Sequence, residues 1–386
     1  MQVYFDNSAT TEPYDEVIDA VVHTMKNNFG NPSSAHGLGL KAEIALNESR
    51  DKLAKTINCT KDEIIFTSGG SESNNFLVKG FTGVGAHIIT SEIEHPSVLN
   101  TFRELEAAGT KVTYLKVDNK GRISLEELKN SINSDTRLVS IIHVNNELGV
   151  VQDIEAIGTL IKEKSPRVKF HVDAVQSYGK FKIDVKKAQI DLLSVSGHKI
   201  HGPRGVGFSY IKKGFNPKAL ISGGGQERNF RSGTENLPGI IGFVKASDII
   251  YNNVQLNYSK VSELKEYFIE RLRDIKDIVI NSPCEECFSS YILSVSFIGV
   301  RGEVLLHLLE EKGIYVSTGS ACSAKKQGDS NVLKAIGLNT QETKGTIRFS
   351  FNEFNTKEEV DYTIEVLEKS LKFLRRLVIC QDNFFR

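Results

Sequence analysis

The strongest constraint on the fold is an alternation that runs through the first 250 residues, in which short apolar runs are separated by longer amphipathic stretches. The runs at 64–67, 84–90, 111–117, 138–144, 168–172, 192–195 and 205–211 read as strands. The segments 73–79, 97–108, 124–131 and 154–164 between them read as helices, the pattern of an α/β fold with a mostly parallel sheet covered on both faces. From about residue 240 the pattern changes. One long helical stretch reaches about residue 275, strand-like runs follow at 291–297 and 347–351, and helices at 302–311 and 357–376 flank them, which predicts a smaller α+β unit. A chain of 386 residues also exceeds one typical hydrophobic core, so two units are expected.

Charge narrows the function classes. The 48 basic residues balance 48 acidic ones, so no net field draws the whole molecule to nucleic acid or to an anionic membrane. No apolar run approaches the ~20 residues that span a bilayer, and the amino-terminal Met1-Gln2-Val3-Tyr4-Phe5-Asp6-Asn7 has neither the basic start nor the apolar stretch of a secretory signal. Five cysteines form no dense disulfide framework. A cytoplasmic protein with no direct nucleic-acid or membrane partner is expected, in which a free thiol is available for chemistry.

Four segments carry that chemistry. In Ser196-Gly197-His198-Lys199 a lysine follows an apolar strand directly. Desolvation there favours the neutral amine that Schiff-base formation requires, although a surface lysine in a Gly-rich loop has the same local sequence. In His171-Val172-Asp173-Ala174-Val175-Gln176 a carboxylate ends a buried strand, where ligands of α/β sheets bind. It suits a protonated pyridine nitrogen and equally suits a helix cap. Thr67-Ser68-Gly69-Gly70-Ser71 joins a strand to a helix with two glycines and hydroxyls, a turn that presents N–H groups to a phosphate monoester or serves plain turn chemistry. Gly319-Ser320-Ala321-Cys322-Ser323 sets one cysteine among small residues beside Lys325 and Lys326, the setting of a reactive thiol.

Taken together these segments resemble the NifS/IscS-type cysteine desulfurases of the class V aminotransferase superfamily, fold-type I enzymes that use pyridoxal 5'-phosphate. The likeness extends through Phe5-Asp6-Asn7-Ser8-Ala9-Thr10-Thr11, Asn31-Pro32-Ser33-Ser34, Glu94-His95-Pro96, Asn145-Asn146-Glu147-Leu148-Gly149, Arg231-Ser232-Gly233-Thr234-Glu235-Asn236 and Thr346-Ile347-Arg348-Phe349-Ser350. It implies a large domain over 14–250 with a mostly parallel seven-stranded sheet, and a small α+β domain made of 1–13 and 251–386 that carries the cysteine segment. It also implies that Lys199 joins the cofactor covalently, Asp173 pairs with the ring nitrogen, Gln176 bonds the ring hydroxyl and His95 stacks on the ring. Gly70, Ser71, Ser196 and His198 are implied to hold the phosphate, with Thr234 reaching the phosphate of a neighbouring subunit in a homodimer. Asn146 and Arg348 are implied to hold the substrate carboxylate, Asn146 also bordering the cofactor. Cys322 is implied to take sulfur from L-cysteine as a persulfide, leaving L-alanine, and to pass it to an acceptor protein.

The sequence after Cys322, Lys325-Lys326-Gln327-Gly328-Asp329, and the short tail after Leu377 differ from the housekeeping iron–sulfur branch. They look closer to desulfurases that serve tRNA thiolation, so a cluster scaffold and a tRNA sulfurtransferase both stand as acceptors. Two rival functions stand beside this one: another class V reaction, such as selenocysteine lysis or amino-group transfer, and a non-catalytic sulfur carrier or scaffold. Cys284 and Cys287 have a Cys-x2-Cys spacing with no second pair to complete a metal site, so no metal is expected. Cys59, Cys380 and His36 are expected to be non-catalytic.

Overall fold

The structure is a computed structural model that describes residues 1–318 and 330–384, with side chains through 377. Strand β1 (Val3–Tyr4) leads to helices α1 (Asp15–Asn27) and α2 (Gly37–Thr56). Then come β2 (Ile64–Thr67), α3 (Gly70–Gly80), β3 (His87–Ser91), α4 (Pro96–Ala107), β4 (Lys111–Leu115), α5 (Leu125–Ser131), β5 (Thr136–Ile142), α6 (Ile154–Lys164), β6 (Lys169–Asp173), β7 (Leu192–Ser196) and β8 (Gly207–Ile211). Strands β2 to β8 form one seven-stranded sheet in the order β2-β8-β7-β6-β5-β3-β4. Only β8 runs against its neighbours, β2 and β7; the other pairs are parallel, as the alternating pattern requires.

Helix caps set the element starts that matter for the site. His95 accepts from Ser97 N at the head of α4, whose first residue is Pro96, and Asp153 accepts from Ala156 N at the head of α6. His36 caps α2 by accepting from Gly39 N, a local structural use of that ring.

The long helix α7 (Leu237–Leu272) joins two hydrophobic clusters. Its first half, with Ile240, Phe243 and Ile250, packs under the large sheet together with Tyr178 and Phe208. Its second half, with Val261, Leu264 and Phe268, packs with Val3, Phe5, Ile347, Phe349 and Leu367. That second cluster lies on a three-stranded antiparallel sheet of β9 (Ile278–Ile280), β10 (Ile292–Phe297) and, after α8 (Gly302–Glu310), β11 (Ile314–Tyr315), α9 (Asn331–Ala335) and α10 (Thr340–Lys344), β12 (Thr346–Ser350). Strand β1 pairs with β11 and Asp6 bridges to Ser350, so the amino-terminal residues run beside the carboxyl-terminal part, and Thr11 then bonds to His198 beyond the end of β7. Helix α11 (Lys357–Phe384) closes the chain described.

Candidate active site

Because β3, β5, β6 and β7 are parallel, their carboxyl ends open at one edge of the sheet, and a cavity of about 330 Å³ lies there. Its walls include Gly70, Ser71, His95, Asn146, Asp173, Gln176, Ser196, His198, Lys199 and Arg348. Ten of the residues singled out from sequence therefore converge, drawn from positions 70 to 348 of the chain.

Asp173 ends β6 with 2% exposure. One carboxylate oxygen accepts from Asn74 Nδ2 at 2.8 Å and the other from Val175 N at 3.0 Å, so the group is held in one orientation and nearly dry. It does not cap a long helix. His95 Nδ1 accepts from Ser97 N at 3.1 Å, which leaves the proton on Nε2. Burial lowers its pKa, with the Lys199 charge adding and the Asp173 charge opposing, so the ring is a neutral plate beside the acid.

Lys199 closes a short 3₁₀ turn after β7 and is half-buried rather than sealed in apolar surroundings. Its Nζ donates to Ser8 O at 2.5 Å and to Ala9 O at 2.8 Å. The amino-terminal segment thus supplies the lysine's backbone partners. Gln176 Nε2 donates to the same Ser8 carbonyl at 2.9 Å, and behind it stands Lys180, 6% exposed, with Nζ 3.4 Å from Gln176 Oε1. Burial and the charges of Lys199 and Arg348 push Lys180 down to about 7, with Glu353 opposing.

At the other end of the cavity α3 begins with its first N–H groups unpaired within the helix, the arrangement that attracts an anion. Two close approaches require glycine. A Cβ on Gly70 would stand 2.5 Å from Val175 Cγ2, and one on Gly207 would stand 2.8 Å from Gly69 Cα. His198 contacts Thr10 Oγ1 at 3.2 Å; burial first, then the Lys199 and Arg204 charges, push it down to about 4, so it meets an anion as a neutral donor.

Arg348 on β12 is 4% exposed; its two terminal nitrogens donate to Asp6 Oδ1 at 2.7 Å and to Asn146 O at 2.8 Å. Its fork is therefore partly engaged within the chain. Ser8 Oγ, Asn74 Oδ1 and Arg348 Nε, all from cavity-lining residues, are buried with no partner among the described residues. A polar ligand completes such atoms.

Thr234 is exposed on the segment before α7 and does not line this cavity. Cys322 lies outside the described residues, as do Lys325 and Lys326. The residues on either side are anchored at the cavity. Ser317 bridges Arg348 through N–H to O pairs of 2.6 and 3.2 Å, and Ser330, which caps α9, donates to Glu147 Oε2 at 2.5 Å, next to Asn146. Burial pushes Glu147 up to about 7, against the Ser330 bond and the Arg348 charge.

Asn74, Ser8, Asp6 and Lys180 are site residues that sequence reasoning did not single out. Asn74 follows the phosphate-type turn by one helical turn, which was the available signal; Ser8 and Lys180 act through contacts that only the folded chain makes. Cys284 and Cys287 sit in the loop before β10 as free thiols, and no group of three or more His, Cys, Asp or Glu able to hold a metal occurs among the described residues.

The fold and cavity are those of a class V aminotransferase: the family model of that description matches residues 3–363, and the chain belongs to this family. A cysteine desulfurase IscS of Clostridium botulinum is 44% identical over 100% of this chain and 98% of its own. Among solved structures, a NifS-like protein superposes with a TM-score of 0.91 at 40% identity, covering 97% of this chain and 100% of that one. A protein solved as SspA in complex with cysteine gives 0.81 at 36% identity, covering 92% of this chain and 100% of that one. Enzymes of this family depend on pyridoxal 5'-phosphate, and the residues present fit it: an acid for the ring nitrogen, an amine for the aldehyde, a helix start for the phosphate and three buried polar atoms awaiting a partner.

Proposed function

We propose that this protein is a cysteine desulfurase that converts L-cysteine to L-alanine and carries the removed sulfur as a persulfide on Cys322. The observation that carries the reading is the convergence of Lys199, Asp173, His95 and Arg348 on one cavity, with both flanks of the cysteine segment tied beside Arg348 and Asn146.

Pyridoxal phosphate, when bound, supplies a carbonyl that condenses with amines and a ring that accepts the electron pair released at the substrate α-carbon. Asp173 holds a proton at the ring nitrogen, its position fixed by Asn74 and Val175. His95 covers one ring face as a neutral imidazole. Gly70, Ser71, Ser196 and His198 hold the phosphate, and Thr234 serves the phosphate of a second subunit. Lys199, whose Nζ lies on the Ser8 and Ala9 carbonyls, would hold the cofactor through its amine, and the same Nζ would take the substrate α-proton and return it. Arg348 and Asn146 orient the substrate carboxylate, which competes with Asp6 for the guanidinium. The Cys322 thiolate attacks the substrate sulfur: an S–S bond forms, the Cβ–S bond breaks, and the carbon keeps the electron pair and takes up a proton.

The remaining parts of the reading are a two-domain division with 14–250 as the cofactor domain and 1–13 with 251–386 as the small domain, a homodimer, an acceptor protein and a cytoplasmic setting. The two hydrophobic clusters, which change over along α7 between Val254 and Val261, support the division. Ile18, Val22, Met25, Leu38, Leu40 and Ile44, all exposed on α1 and α2, support the homodimer by offering an apolar face that a single chain leaves in water. No helix among the described residues is long and apolar enough to cross a membrane. The acceptor is a cluster scaffold or a tRNA sulfurtransferase, and transfer of labelled persulfide sulfur to each decides between them.

Cys322→Ala tests the reaction. Loss of alanine and sulfide production from cysteine with the cofactor's visible absorption intact supports desulfuration. Retained turnover points to selenocysteine lysis or amino-group transfer instead.

A further inference from the structure

Gln176 lies between two neighbours that leave its amide one orientation. Lys180 Nζ, a donor with or without its third proton, approaches Oε1 at 3.4 Å, while Ser8 O, an acceptor only, receives Nε2 at 2.9 Å. Turning the amide over would set carbonyl against carbonyl at Ser8, and donor against donor wherever Lys180 carries its third proton, so the oxygen and nitrogen positions are settled by chemistry as well as by fit. Lys180 itself has little freedom. It is 6% exposed, and its Nζ stands 5.2 Å from the centroid of the Tyr291 ring, a buried amine resting on an aromatic face. Nε2 has two hydrogens and Ser8 O takes one of them. The second is not used by Ser8 O, and Gln176 lines the cavity close to where Lys199 Nζ meets the same Ser8 carbonyl at 2.5 Å.

We propose that Lys180 is a positioning residue that locks the Gln176 amide with an N–H toward the cavity, so that the cofactor's ring oxygen meets a hydrogen-bond donor and stays anionic. This rests on the pyridoxal-phosphate reading of the site and adds a second lysine to it. Lys180 does not line the cavity and touches no reacting atom; it acts through Gln176. With the donor in place, the ring oxygen's charge is shared with Gln176. Without it, that charge falls back on the proton at the neighbouring Lys199 nitrogen, which is then held more tightly.

The test is a pH titration of the visible absorption of the purified holoenzyme without substrate, comparing the midpoint of the spectral change. Lys180→Met is expected to raise the midpoint by about one pH unit. Lys180→Gln, which keeps a donor at that place, is expected to restore most of the wild-type midpoint. In a Gln176→Ala background, Lys180→Met is expected to add almost nothing. A midpoint unchanged in Lys180→Met, or a shift that persists undiminished in the Gln176→Ala background, overturns the proposal. Gln176→Glu, which puts an acceptor where the donor stood and leaves Lys180 intact, is expected to raise the midpoint at least as far. An unchanged midpoint there overturns the proposal equally, including where Lys180→Met does not fold. Failure of the underlying cofactor reading looks different: the wild-type protein would then show no visible band that Lys199→Ala removes.

Discussion

Replacing Arg50 by methionine isolates what a buried charge costs beneath the phosphate end of the site. Glu227 is 5% exposed, and its carboxylate accepts from both terminal Arg50 nitrogens at 2.7 Å and from Phe66 N at 2.9 Å. Arg50 also donates to Ile64 O at 2.8 Å and lies over the Phe66 ring at 4.6 Å. Without Arg50 the carboxylate keeps one N–H in a place water does not reach, a loss of about 3–5 kcal/mol in folding free energy. Adding Glu227→Gln removes the remaining charge and keeps an acceptor for Phe66 N, so the double variant should regain at least half. Urea unfolding followed by circular dichroism measures all three proteins. A loss below about 1 kcal/mol for Arg50→Met, or a double variant no more stable than the single one, refutes the reasoning.

Gly70→Ala must push Val175 away from the turn that opens α3, and should weaken pyridoxal-phosphate binding about tenfold, read as the dissociation constant by fluorescence titration. Asp173→Asn removes the acid at the ring nitrogen and should slow exchange of the substrate α-proton with deuterated solvent by roughly 10²–10⁴-fold; an unchanged exchange rate contradicts the assigned role. Burial pushes His171, held between Ser140 and Ser194 hydroxyls, down to about 3 from 6.5. The unfolded chain therefore binds a proton there that the folded chain refuses. This contribution is present above 6.5 and fades as pH falls, by about 1.4 kcal/mol per pH unit. His171→Gln should flatten the acid limb of the stability curve by one proton.

The sheet was legible because parallel strands covered on both faces are apolar throughout, and β5, β6 and β7 stand within two residues of where their runs predict them. The run at 84–90 begins early because Val84 is an exposed apolar residue before β3 rather than part of it. Helices α1 and α2 do not stand out in the sequence for a related reason. Ile18, Val22, Met25, Leu40 and Ile44 face outward, so the apolar positions do not trace one core stripe. The five-residue helices α9 and α10 are fixed by the caps Ser330 and Asn339, not by periodicity. In the site, Asp173 could be found because it ends β6, and Lys199 because it follows β7 within one short turn. Asn74, 99 residues from Asp173, had only its place one turn past the phosphate-type turn to mark it, and Ser8, 168 residues from Gln176, owes its importance to a tertiary contact that no local pattern encodes.

The proposed reaction requires the Lys199 amine and the Cys322 thiol to work on one substrate molecule. Protein incubated briefly with L-cysteine carrying heavy sulfur, alkylated and digested, should yield one added heavy sulfur on the peptide that holds Cys322, and none on that peptide from Lys199→Ala. Heavy sulfur found instead on Cys59, Cys284, Cys287 or Cys380, or on Cys322 regardless of Lys199, would contradict it.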